Sequence, residues 1–237
     1  IEAAPATELV FRVFTGPTVI ATGKSPILNV KEQKTYDFRW VSVYVTAISG
    51  WQLAVSQATY AQVSRLAAGA WFGSEFQGEP VPLLEEVLDS AERAAPGRAW
   101  VNVELKHPLR AYDGLEARVL DAVRARPEWD GRVVYSSFKH RSLHKLRGLD
   151  ARARLGYLVG LTRRRVALTE ARELACESVH LSLRQADRAW VKAVHDAGMK
   201  VLVYTVNTAK DLARLRALGV DGVFSNYPDL AREEASR

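Results

Sequence analysis

The sequence has too little cysteine for a disulfide, no apolar run long enough to span a bilayer, and no histidine before residue 107. Its one cysteine, Cys176, sits in the apolar stretch 174–181 with no partner base evident, which fits a buried structural thiol better than a nucleophile. No run of about 18 apolar residues occurs, so no membrane-spanning helix is expected. Basic residues are not interleaved with aromatics and no nucleic-acid motif is present, so no nucleic-acid partner is expected. The chain opens at Ile1 rather than at methionine, as removal of a leader or trimming would leave it. A cytoplasmic location is expected over export.

What is present describes an ordinary globular protein. Hydrophobic residues make up 48% and charged residues 25%, and 237 residues are enough to bury a large core without staples. That length is close to the roughly 250 residues of a (β/α)8 barrel. The net charge of +6 favours an anionic small-molecule substrate or contact with a membrane surface. The densest cationic run, Arg163 to Arg165, reads as the solvated start of a helix.

From residue 99 onward, short apolar runs alternate with amphipathic ones. Strands are predicted at 99–105, 132–138, 153–159, 177–182, 200–206 and 221–226, each apolar nearly throughout, as strands covered on both faces should be. Helices are predicted at 114–126, with Leu115, Val119, Leu120 and Val123 on one face, and at 141–149, 185–198 and 209–219. The last two end at Gly198 and Gly219, which suit a left-handed stop. Two earlier strands fit at 17–22 and 39–47. Eight strands in strand–helix order predict one α/β domain, a closed (β/α)8 TIM barrel of parallel strands over residues 1–237. Residues 48–98, with a helix from Leu83, read as an excursion over one barrel face.

In such barrels chemistry sits at the C-terminal ends of the strands. Glu104, Lys106, Ser137, His180, Tyr204 and Asn207 all fall at or near predicted strand ends. Alternation puts Glu104 and Lys106 on one side, and a buried carboxylate beside an ammonium makes costly filler. Glu104 is thus a candidate site residue against a structural ion pair, and Lys106 a candidate phosphate contact. His180 either lines the pocket or is a hydrogen-bonded barrel histidine. Tyr204 either walls a ligand or packs, and Asn207 either reaches the site or bonds locally. His107, His140, His144 and His195 are expected on the surface. Ser136 and Ser137 have no neighbouring base, so no serine nucleophile is expected.

Several motifs carry a resemblance. Asn102-Val103-Glu104-Leu105-Lys106, Ser136-Ser137-Phe138, Tyr204-Thr205-Val206-Asn207 and Gly219-Val220-Asp221-Gly222-Val223-Phe224-Ser225-Asn226-Tyr227-Pro228 occur in order, preceded by Ala68 to Phe72 and by Glu79 to Leu88. Over about residues 57–230 the chain resembles the glycerophosphodiester phosphodiesterases. That resemblance implies hydrolysis of a glycerophosphodiester to glycerol 3-phosphate and an alcohol. It also implies a Ca²⁺ or Mg²⁺ ion held by several carboxylates, Glu104 among them, and two histidines as general acid and base. Lys106, His180, Tyr204 and Asn207 are the implied substrate contacts.

The first third departs from the family pattern. Thr22 stands where the first histidine is expected, Ser42 and Tyr44 where two acidic ligands are expected, and Gln57 nearest the second histidine. The acids of residues 1–60 are Glu2, Glu8, Glu32 and Asp37, none on a predicted strand end. No residue is singled out as the catalytic acid or base. Three readings follow: a barrel that binds a phosphate ligand, or serves structurally, without catalysis and with no metal; a rearranged site using Glu104, Lys106 and His180; or a first segment out of frame with the rest.

Overall fold

The computed structural model describes residues 19–29, 34–44, 60–65, 74, 77–106, 114–161 and 163–227, the first two spans as backbone. The elements run β1 (Val19–Asn29), β2 (Lys34–Tyr44), α1 (Tyr60–Val63), α2 (Leu84–Ala94), β3 (Trp100–Glu104), α3 (Leu115–Arg124), β4 (Val133–Ser137) and α4 (His140–Leu149). They continue β5 (Arg154–Leu158), α5 (Arg164–Glu173), β6 (Ser178–Ser182), α6 (Arg188–Asp196), β7 (Lys200–Tyr204), α7 (Ala209–Leu218) and β8 (Gly222–Val223). One eight-stranded sheet follows the chain in order from β1 to β8. From β2 to β8 every neighbouring pair is parallel. None of the described helices is long and apolar enough to cross a membrane.

Alternation divides the residues of β3 to β8 between two faces. Val101, Tyr135, Leu155, Tyr157, Val179, Val201, Val203 and Val223 meet the apolar faces of the helices in one continuous core. Leu88, Leu120, Leu143, Leu146, Val194 and Leu215 supply the helical side of it. The other row carries Trp100, Asn102, Glu104, Ser136, Gly156, Ser178, His180, Leu202 and Tyr204, with Phe224 just beyond β8. Leu202 and Phe224 pack there with Trp100 and Tyr204 as a small separate cluster.

Local chemistry fixes the helix ends. The Asp187 carboxylate caps α6 by accepting from the Trp190 N–H at 2.6 Å, and the Thr208 hydroxyl caps α7 by accepting from the Asp211 N–H at 3.1 Å. Asp187 also binds the Arg164 guanidinium at 3.0 Å, which answers the unfavourable positive charge at the start of α5. Gly219 ends α7 with φ 79°, a conformation that favours glycine.

The first two strands correct the expectation of eight parallel strands. β1 and β2 form an antiparallel hairpin with Val19 opposite Tyr44 and Asn29 opposite Lys34. Residues 30–33 alone join them, and a parallel pair needs a crossover of about a dozen residues. No ladder joins β8 to β1 among the described residues. Two histidines correct the surface assignment. His140 Nε2 lies 2.9 Å from the Leu158 carbonyl and Nδ1 2.9 Å from the Tyr157 hydroxyl, with the two rings stacked. His195 Nε2 lies 2.7 Å from an Asp221 carboxylate oxygen. His144 is exposed as expected, Cys176 is buried, and His107 lies outside the described residues.

Candidate active site

Glu104 ends β3, and Lys106 follows two residues on, at the C-terminal edge of the sheet. Their side chains meet, Lys106 Nζ lying 3.4 Å from Glu104 Oε2, with the carboxylate 17% and the ammonium 28% exposed. Burial holds the Glu104 carboxyl above its ordinary range, and the charge and hydrogen bond of Lys106 oppose this only in part. The pair is therefore a largely buried carboxylate beside an ammonium that reaches solvent.

Tyr204, at the end of β7, donates its hydroxyl to the Val159 carbonyl at 3.1 Å. Burial, and then the charge of Glu104, push its pKa up to about 12, so it stays a neutral phenol within electrostatic reach of that carboxylate. Phe138, 44% exposed, meets the Tyr204 ring edge-on at 6.0 Å. Lys106, Glu104, Tyr204 and Phe138 thus gather at one mouth.

His180 lies deeper and is fully buried, with Nε2 2.9 Å from the Ser178 hydroxyl and Phe224 packed 5.3 Å away. Burial lowers its pKa to about 3, so the ring is neutral, and its Nδ1 meets no partner. Of the two readings of His180, this is the geometry of a hydrogen-bonded barrel histidine. Asn102 donates to the Ser136 hydroxyl at 3.0 Å, leaving its own side-chain oxygen buried without a partner. Asn207 accepts from the Asn226 N–H at 2.9 Å and ties the segments after β7 and β8 together, the local alternative for that residue. The Ser137 hydroxyl donates to the Leu105 carbonyl at 2.6 Å and accepts from the Lys139 N–H at 3.0 Å.

The positions that depart from the family pattern fall on the hairpin. β2 pairs with β3 as Phe38 with Trp100 and Arg39 with Val101. That register, continued, sets Ser42 level with Glu104 and Tyr44 level with Lys106. Thr22 pairs with Val41 and Ser42 with Ala21, so Thr22 stands at the other parity of the ladder. Gln57 lies outside the described residues. Gln185 was not singled out in the sequence. It accepts from the Ser182 N–H and hydroxyl and donates to the Gly160 carbonyl at 2.8 Å, bracing two loops of the mouth. No motif marks it; its position three residues past a strand end is the one signal.

A Ca²⁺ or Mg²⁺ ion needs several oxygen ligands, commonly more than one carboxylate. Among the described residues no group of three or more His, Cys, Asp or Glu side chains could hold a metal. Glu104 is already engaged by an ammonium. The described donors do not fit the ion.

The family model for glycerophosphoryl diester phosphodiesterases matches residues 28–230. The chain belongs to this family. A glycerophosphodiester phosphodiesterase of Caldanaerobacter subterraneus subsp. tengcongensis is 28% identical over 179 residues, covering 74% of this chain and 70% of the relative. Another, from Bacillus subtilis (strain 168), is 30% identical over 201 residues, covering 76% of this chain and 64% of the relative. Among solved structures, an Oleispira antarctica phosphodiesterase in complex with the product sn-glycerol-3-phosphate superimposes with a TM-score of 0.63 at 25% identity. The match covers 82% of this chain and 73% of that one. Family and structural neighbours together imply a TIM barrel, whose parallel strand–helix repeats the chain shows from β3 to β8.

Proposed function

We propose that this chain recognises a glycerophosphodiester at the mouth formed by Lys106, Glu104, Tyr204 and Phe138, and does so without metal-dependent turnover. The observation that carries the reading is the Glu104–Lys106 pair at the C-terminal edge of β3. A phosphodiester oxygen can take the ammonium as a partner, and the Tyr204 and Phe138 rings offer an apolar wall to the glycerol carbons. The Oleispira relative, bound to sn-glycerol-3-phosphate, supports the ligand class. Hydrolysis in the family draws on a hard cation that neutralises the diester, and among the described residues one carboxylate beside a lysine does not supply its ligands.

Calorimetry with glycerophosphocholine tests this. Saturable binding is expected, unchanged by a chelator and weakened about tenfold by Lys106→Ala, the loss of one charge-assisted contact. Chelator-sensitive release of glycerol 3-phosphate by the purified chain would overturn the proposal in favour of the family's hydrolysis.

A further inference from the structure

At the opposite end of the sheet, where the chain enters β4 and β5, a cavity of about 540 Å³ is lined by Trp129, Tyr135, Arg124, Arg152, Asp130 and Asp150 among others. Its size falls within the roughly 300–1,000 Å³ of small-molecule sites. Trp129 is fully buried, and its indole N–H has no partner. The Arg132 guanidinium stacks on that ring at 4.4 Å and holds it in place. That N–H is itself closed to solvent, so the ring serves the cavity as a fixed apolar wall. Tyr135 is a neutral phenol, because burial and the charge of Asp150 push its pKa up to about 12.

The charges sort themselves. Arg126 is closed by Asp89 at 2.6 and 3.2 Å, and Arg154 by Glu177 at 2.6 and 2.5 Å. Arg124 binds Asp150 at 3.1 Å with half its side chain exposed. Arg152 is exposed, and its guanidinium makes no hydrogen bond among the described residues. The lining therefore offers the Tyr135 phenol and the guanidinium groups of Arg152 and Arg124, the latter shared with Asp150 and the Leu149 carbonyl, while Asp130 makes no ion pair among the described residues. A ligand that fits must bring acceptors and negative charge. The room beyond an inorganic ion, bounded by Val123, Pro127 and Val133, suits an apolar body.

We propose that this cavity binds a small organic phosphomonoester, its phosphate on Arg152 and Arg124 and its body towards Trp129 and Tyr135. A guanidinium fork matches phosphate in two parallel hydrogen bonds, which selects phosphate over a single carboxylate. The inference goes beyond the mouth and does not depend on it. Titration with phenyl phosphate, followed by calorimetry and by the Trp129 indole N–H signal in NMR, tests it. Saturable binding that shifts the indole signal is expected. Arg152→Glu, an exposed change that leaves the fold alone, should weaken it about tenfold or more, and Tyr135→Phe severalfold. Lys106→Ala should leave it unchanged. Absence of saturable binding, binding indifferent to Arg152→Glu, or benzoate binding as tightly as phenyl phosphate would each overturn the proposal.

Discussion

Gly156 shows how closely the concave face is packed. A Cβ there would lie 2.6 Å from both Cε1 and Nε2 of His180, whose ring is fixed by full burial and by Ser178. Gly156→Ala is expected to destabilise the protein by about 1–3 kcal/mol, read from urea unfolding. An unchanged midpoint would show that the ring can retreat. His180 itself carries a pH signature. Its pKa is depressed in the folded chain, to about 3, so between roughly 6.5 and 3 the unfolded chain binds a proton that the folded one refuses. Stability should be fully present above that window and fall as pH drops through it. His180→Asn should flatten that part of the profile in a pH series of thermal melts. Neither residue announces this in sequence. Gly156 looks like any strand residue, and only pairing of β5 with β6 brings the histidine onto it. Glu104 and Lys106 were legible as neighbours, because residues two apart in extended chain share a face, and Lys106 continues that face just past the end of β3.

At the scale of elements, the strands after residue 99 were legible because each apolar run is bounded by turn chemistry. The 221–226 prediction shrinks to Gly222–Val223. Caps explain where the helices start: α6 begins at Arg188 rather than 185 because Gln185 is engaged by Ser182 and Asp187 is the cap. Thr208→Val, which keeps shape and removes the cap of α7, should cost about 1 kcal/mol in chemical denaturation. The hairpin was not legible. Apolar runs give a strand no direction, and placing the strands at 17–22 and 39–47 left a gap wide enough for a crossover. Longer strands consume that gap and force the chain to turn straight back. Ser42 and Tyr44 nevertheless share the row of Glu104. Ser42→Glu combined with Tyr44→Asp should therefore strengthen Ca²⁺ binding over the parent chain, measured by calorimetry. Failure of the double variant to bind would argue against the β2–β3 register.

Across the whole molecule, the sheet separates two jobs. Its convex side is a continuous apolar core that needs no ion or ligand to close. Its concave side carries the polar and small residues on which a site can be built. Since the described donors do not assemble a metal cage, a chelator should leave the melting temperature within about 1 °C, measured by calorimetric melting. A larger drop would reveal a structural ion.

The sequence by itself determined the alternation of strands and helices, the family, the placing of Glu104 and Lys106 on one strand end, and the shortage of acidic and imidazole groups before residue 60. All of these are properties of order and composition, written along one dimension. Tertiary structure alone decided that β1 and β2 run antiparallel, that His180 is sealed from solvent, that Asn207 bonds to its neighbour segment, and that Trp129 is left with an unanswered N–H. Each of these depends on which distant segment arrives beside a residue, and a buried polar group is satisfied or orphaned only by that arrival.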